Sequence, residues 1–233
     1  KLPHFTGGYA KYVKIVKGSY IFKIPSDLSD KEVVPLMCAG ATITSGLDAV
    51  NFKSCDYVVV QGCGALGLYA CAFSKQLGCK TVIALDNDQP RLELSKEFGA
   101  DILINVNIEK DVVSKIKDIK LIINTTSIGF STWFDSKKKF YNLEYFSPLA
   151  PLSNIKLIDK KEKKLFLKKN KKIIEKNLKI SKKFFKNNTN SKVYDIIYSP
   201  KKTNIMKHAD IYKNYNLNGL NMNLDQAVIA FSK

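Results

Sequence analysis

The sequence predicts an α/β fold: a doubly wound parallel sheet of Rossmann type, with a short β-rich segment ahead of it and a lysine-rich helical insertion inside it. Three observations carry that reading. Short apolar runs, "YVVV" (57–60), "TVIAL" (81–85), "DILIN" (101–105) and "LIIN" (121–124), alternate with helix-length segments at close spacing, as parallel βαβ units require. The first run leads straight into a turn with spaced glycines, Gly62-x-Gly64-x-x-Gly67, and then into a helix. The fourth ends on Asn124-Thr125-Thr126-Ser127, a polar cluster at the strand end where open α/β sheets hold their ligands.

The elements follow in order. Residues 9–24 alternate and are rich in Tyr, Val and Ile, which predicts strands. Ser29 and Glu32 have capping-box spacing, so a helix should begin near Asp30. A helix over 65–78 should stop at Gly78, and the next should start at Pro90 and stop at Gly99. Residues 108–117 read as a helix between the third and fourth strands. The pattern then breaks over 131–190, where aromatics precede a lysine-rich stretch whose Leu165, Ile173, Ile174, Leu178, Ile180 and Phe185 form a partly helical apolar face. "VYDIIYSP" (193–200) reads as a strand stopped by Pro200, "TNIMKHADIYKNY" (203–215) as a helix and "LDQAVIAF" (224–231) as a final one.

Composition narrows the classes. A chain of 233 residues can bury a sizeable core. No run of 18 apolar residues occurs, so no membrane span is expected, and no signal peptide is read. Cys38, Cys55, Cys63, Cys71 and Cys79 form no C-x-x-C pair and are an odd set, which reads as reduced thiols in a cytoplasmic protein. The net charge of +17 raises a nucleic-acid partner, but of 38 basic residues only Arg91 is an arginine. Arginine is the residue of bidentate base and phosphate contacts. Residues 156–186 hold fourteen lysines against Asp159, Glu162 and Glu175, so the charge is local and reads as a solvated helix face. No specific nucleic-acid partner is expected; self-association is left open.

The glycine turn carries the clearest chemistry. Gly62 permits the tight turn, Gly64 lets backbone approach a pyrophosphate, and Gly67 lets helix and strand pack closely. The helix start at Ala65 and Leu66 offers unpaired N–H groups to phosphate oxygens. Asp86 ends the second strand 19 residues after Gly67. Its carboxylate can accept from a ribose 2′-hydroxyl and would repel a 2′-phosphate, which favours NAD over NADP.

Two resemblances then become specific. Residues 7–107, through "GGYAKYVKI", "KIPSDLSDKEVVPLMCAGATITSGLDAV", "VVVQGCGALGLYA" and "RLELSKEFGAD", resemble the medium-chain, zinc-type alcohol dehydrogenases. That resemblance implies a zinc ligand at Cys38 and a nicotinamide neighbour at Thr42. Zinc would need the ligands of a longer natural protein, since one cysteine cannot complete a tetrahedral site. Residues 121–130 and 193–233, through "LIINTTSIGF", "VYDIIYSPKKTNIMKHA" and "NGLNMNLDQAVIAF", resemble the C-terminal half of shikimate dehydrogenases. This implies cofactor contacts at Asn124, Thr125, Thr126, Ile196, Gly219 and Met222, and substrate contacts at Tyr198 and Gln226.

The chain departs from both families. The catalytic Lys and Asp of the shikimate enzymes belong to a substrate domain that this sequence does not contain. No catalytic residue is therefore assigned; His4 and His208 are the first bases to consider if the chain is active alone. The expected organisation is a remnant of an upstream catalytic domain (1–35), the first part of an NAD-binding domain (36–130), the insertion (131–190), and the end of the domain with a closing helix (191–233). The opening residues read as mid-domain sequence, and the chain reads as a fragment or chimera. The expected function is NAD(P)-dependent hydride transfer at a hydroxyl or keto carbon of a small molecule, shikimate-dehydrogenase-like. The alternatives are a zinc-type alcohol dehydrogenase cofactor domain and a non-catalytic nucleotide-binding fragment.

Overall fold

The computed structural model describes residues 11–15, 17, 18, 21–54, 57–109, 111–130, 133, 134, 140, 141, 143–149, 152, 155 and 163–220. Met222, Gln226, His4 and the expected final helix lie outside them. The described residues between 11 and 29 form bends, turns and irregular backbone and no strand, so the strand reading of 9–24 is corrected there. Alternation alone does not make a strand without a neighbour to complete its ladder, and here Tyr12, Ile21 and Phe22 are 87%, 70% and 82% exposed.

Helix α1 (Asp30–Val33) begins where the capping-box spacing places it and passes through a 3₁₀ turn (Val34–Met37) into α2 (Ala39–Ala49). The βα units follow: β1 (Tyr57–Gln61), α3 (Ala65–Gln76), β2 (Thr81–Asp86), α4 (Gln89–Glu97) and β3 (Ile102–Asn105). Helix α4 is capped by the Asp88 carboxylate, which accepts from the Arg91 N–H at 3.0 Å. Gly78 and Gly99 end their helices at φ +90° and +91°, a backbone state that costs glycine little. Helix α5 covers only Val112–Lys115, shorter than the 108–117 expected. Then come β4 (Leu121–Asn124), a small hairpin of β5 (Trp133–Phe134) and β6 (Phe140–Tyr141), a 3₁₀ turn (Leu143–Tyr145), α6 (Lys163–Asn187), β7 (Lys192–Asp195), α7 (Asn204–Ile211) and β8 (Asn216–Asn218).

Six strands form one parallel sheet in the order β3-β2-β1-β4-β7-β8. The sequence left β8 unread. Strand β7 stops at Asp195 rather than running on to Pro200. Side chains alternate between two cores, as the strand period dictates. Val58, Val60, Val82, Ala84, Leu121, Ile123 and Tyr194 meet Ile43 and Leu47 of α2, Ala70 and Cys71 of α3 and Leu92 of α4. Val59, Ile83, Leu85, Ile122 and Val193 meet Val112 and Val113 of α5, Phe184 and Phe185 of α6, and Ile205, Met206 and Ala209 of α7.

The lysine-rich helix α6 is therefore the crossover between β4 and β7. Its fully buried stripe is Phe166, Asn170, Ser181, Phe184 and Phe185, with Asn177 2% exposed. Of the expected apolar face, Phe185 is buried, whereas Leu165, Ile173, Ile174, Leu178 and Ile180 are only partly buried, and the buried stripe includes Asn170, Asn177 and Ser181. Lys164, Lys168, Lys169, Lys171, Lys172, Lys176, Lys179, Lys182, Lys183 and Lys186 are all exposed.

The two resembling halves share one core. The Tyr194 ring of β7 lies so close to α2 that a Cβ added at Gly46 would fall 2.1 Å from it, and the Tyr194 hydroxyl donates to the Thr42 carbonyl at 3.2 Å. The Lys192 ammonium donates to the carbonyls of Val50 (2.6 Å) and Asn51 (3.1 Å) at the C-terminal end of α2, where a cation is favoured.

Candidate functional site

The sheet order reverses between β1 and β4, and a cleft of about 700 Å³ opens at the carboxyl ends of the strands there, the topological switch point of an open α/β sheet. Gly62, at φ +90°, turns the chain out of β1. A Cβ on Gly67 would fall 1.7 Å from the Gly62 carbonyl oxygen, so only glycine allows α3 to start this close to the strand. A Cβ on Gly64 would meet nothing within 4 Å; its side faces the open cleft. Ala65 is exposed and Leu66 packs on the core, and neither side chain lines the cleft.

Asp86 closes the β2 end. One carboxylate oxygen accepts from the Cys63 N–H (2.6 Å), the other from the N–H groups of Asn87 (2.7 Å) and Asp88 (3.0 Å). A carboxylate offers about four lone-pair sites, so one remains for a ligand hydroxyl. Burial, and then the Asp86 charge, push the Cys63 thiol up to about 12, which keeps it protonated beside the turn.

Opposite, Thr125 donates its hydroxyl to the carbonyls of Gln61 (2.9 Å) and Gly62 (2.8 Å), which ties β4 to the glycine turn. Thr125 and Thr126 line the cleft, as do Ile196 and Tyr198. The Tyr198 ring stands edge-on to Phe130, with centroids 6.3 Å apart.

Several expected site residues do other work. Asn124 is fully buried and turned away from the cleft. Its amide nitrogen donates to Asp195 (2.9 Å), and its oxygen accepts from the Thr126 N–H (3.1 Å) and hydroxyl (2.7 Å). Asp195 in turn accepts from the Ile197 N–H (3.1 Å) and the Thr203 hydroxyl (2.6 Å), so this pair bolts the ends of β4 and β7 together. Gly219 does not line the cleft; a Cβ there would fall 2.1 Å from the Ile196 carbonyl oxygen, and it supports Ile196 from behind. Thr42 is buried in α2 away from the cleft, and Cys38 is exposed. Among the described residues no group of three or more His, Cys, Asp or Glu could hold a metal ion, so those residues do not fit zinc. His208 is buried against α6, its Nδ1 2.8 Å from the Ser181 hydroxyl, and does not reach the cleft.

The cleft also has residues the sequence did not single out. Asn87, Arg91, Val106 and Asn107 line the β2–β3 side, and Ile128, Leu143, Pro148, Leu152 and Ile155 line the β4–β7 side. Arg91 was legible in principle, one turn into a helix capped next to Asp86. Gln61 lines the cleft at the end of β1, is 2% exposed, and has no partner for either its amide nitrogen or its oxygen. An orphaned buried amide, an open side at Gly64 and a carboxylate with one free site fit an extended ligand with phosphates and hydroxyls.

Fold and cleft define a Rossmann-type α/β domain of the kind found in nicotinamide-dependent dehydrogenases. Residues 65–133 match the zinc-binding dehydrogenase family. An alcohol dehydrogenase of Geobacillus stearothermophilus is 38% identical over 99 residues, 42% of this chain and 29% of the relative. An NAD-dependent alcohol dehydrogenase of Sulfurisphaera tokodaii is 33% identical over 117 residues, 50% of this chain and 33% of the relative. The chain thus spans about a third of the length of these relatives. Among solved structures, galactitol-1-phosphate dehydrogenase of Escherichia coli superposes with a TM-score of 0.58 at 14% identity, over 96% of this chain and 56% of that one. Shikimate 5-dehydrogenase of Listeria monocytogenes, solved with shikimate and NAD, gives 0.53 at 16% identity, over 83% and 56%. At these identities the likeness is one of fold. No described helix is long and apolar enough to cross a membrane.

Proposed function

We propose that the cleft binds a nicotinamide adenine dinucleotide, NAD(H) in preference to NADP(H), and that the chain is the cofactor-binding part of an alcohol-dehydrogenase-like oxidoreductase. The observation that carries this is Asp86: its carboxylate stands at the end of β2, beside the glycine turn, with one lone-pair site left over. The β2 end would take the adenosine ribose, with Arg91 and Asn107 beside it, and the turn at Gly62 and Gly64 the pyrophosphate. A 2′-phosphate would meet the fixed carboxylate. The bound dinucleotide supplies hydride exchange with a hydroxyl or keto carbon; this chain's residues bind and orient it.

The sequence likeness of the nucleotide-binding part favours a simple alcohol or carbonyl substrate. A shikimate-like substrate is the second reading, favoured by Tyr198, which is 45% exposed at the cleft. Titrating NADH and NADPH by fluorescence tests the cofactor. NADH should bind more tightly, and Asp86→Asn should weaken it about tenfold, the loss of one charge-assisted bond at about 1.5 kcal/mol. Equal or tighter binding of NADPH by the unaltered chain refutes the reading.

A further inference from the structure

The cleft has two unlike walls. Along the sheet, Asp86, Asn87, Arg91 and Asn107 stand on the β2–β3 side, and the glycine turn stands at β1. On the β4–β7 side the wall is apolar: Ile128, Leu143, Pro148, Leu152 and Ile155, with Phe130 at its edge. Four of these residues, 143–155, lie in the segment between β4 and the lysine-rich helix, outside the stretch matched by the dehydrogenase family.

This shelf is anchored on several sides. The Gly129 N–H donates to the Leu143 carbonyl at 3.0 Å, and the Asn204 amide to the Glu144 carbonyl at 2.8 Å. Asn177 of α6 grips Ser147 by both backbone groups, accepting from its N–H at 2.8 Å and donating to its carbonyl at 3.0 Å. The Ser147 hydroxyl donates to Ser181 of α6 at 2.8 Å, and Phe146 packs edge-on to Phe166, centroids 6.5 Å apart. Asn177, Ser181 and Ser147 are buried, so these bonds are not exchanged for water. The exposed lysines of α6 lie on its other side, and its buried stripe holds the shelf.

We propose that the shelf is the wall against which the nicotinamide ring packs, so that Leu143, Pro148, Leu152 and Ile155 form part of the cofactor site and Asn177 is a positioning residue for it. The inference rests on the dinucleotide reading above. A ligand with its adenosine ribose at Asp86 and its pyrophosphate at Gly62–Gly64 must lay its other end toward β4 and β7. There the ring meets an apolar face, which favours ring burial over exposure to water.

Binding of NADH is compared with binding of ADP-ribose, which has the adenosine end and the pyrophosphate but no nicotinamide. The variants are Leu152→Ser, at a half-buried wall position, and Asn177→Ala. In the unaltered chain NADH should bind about tenfold more tightly than ADP-ribose, and its emission should rise and shift blue on binding. Leu152→Ser should remove most of that advantage and of the emission change, with ADP-ribose affinity unchanged. Asn177→Ala should act in the same direction. Equal affinities for the two ligands in the unaltered chain overturn the shelf proposal alone. Equal weakening of both ligands in Leu152→Ser, or no change in either, also overturns it. Failure of both ligands to bind the unaltered chain refutes the dinucleotide reading, and the shelf proposal with it.

Discussion

Asp195 and His208 are both buried and titrate in opposite senses. Burial pushes the Asp195 carboxyl up to about 6, against the hydrogen bonds from Thr203, Ile197 and Asn124. Burial pulls the His208 imidazole down to about 4, helped by the Lys182 and Lys207 charges. Between about pH 4 and 6, unfolding releases a proton at Asp195, so that group makes the fold less stable as pH rises. Over about pH 4 to 6.5, unfolding takes up a proton at His208, so that group makes the fold more stable as pH rises. Each change is worth about 3 kcal/mol. In the unaltered chain the two nearly cancel. Relative to it, His208→Gln should lose about 3 kcal/mol between pH 4 and 6.5, and Asp195→Asn should gain about as much between pH 4 and 6. Urea unfolding followed by circular dichroism from pH 4 to 7.5 measures both. Other carboxylates contribute the same background to all three proteins, so the difference from the unaltered chain is the readout. Parallel profiles for all three, or slopes of the same sign in the two variants, would refute the reasoning.

The glycine turn makes a paired prediction: Gly64→Ala should leave thermal stability unchanged and weaken NADH, whereas Gly67→Ala, with its Cβ 1.7 Å from Gly62, should lower both stability and binding. Equal melting temperatures for the two would contradict the geometry. Gly46→Ala should destabilise the fold through the Tyr194 ring at 2.1 Å, and adding Tyr194→Leu should restore part of the loss; thermal denaturation measures it. Binding of DNA or RNA should follow electrostatics alone, falling into the range of about 10⁻⁴–10⁻⁶ M by about 200 mM salt in filter binding or anisotropy. Submicromolar binding at physiological salt that depends on residues 156–186 would make that stretch a working nucleic-acid surface.

The βα core was legible because each of its elements is marked locally. A run such as "TVIAL" has strand length and is bounded by turn residues, and Gly78 and Gly99 mark their helix ends. The glycine turn and Asp86 were legible for the same reason. Strand β8, "NLN", has too few apolar residues to be read; its place comes from pairing with β7. Asn124 was misread because a polar residue at a strand end can face the cleft or the neighbouring strand, and only the position of Asp195 decides. The shelf left no periodic signal, since its residues are held by the asparagines and serines of a distant helix. Those same polar residues broke up the apolar stripe by which α6 would have been oriented.

Strand β1 meets β4 where Val58 to Gln61 pair with Leu121 to Asn124, which divides the sheet into β3-β2-β1 and β4-β7-β8. The cleft opens over that pairing. Its β2–β3 side is lined by Asp86, Asn87, Arg91 and Asn107, and its β4–β7 side by residues later in the chain, among them Thr126, Ile196 and Tyr198. A single extended ligand would therefore hold the two groups of strands in register. Neither half could be exchanged for a homologous piece on its own without moving one end of the ligand relative to the other. The cleft would then be the place where a mismatch between the two groups of strands shows first, as lost binding.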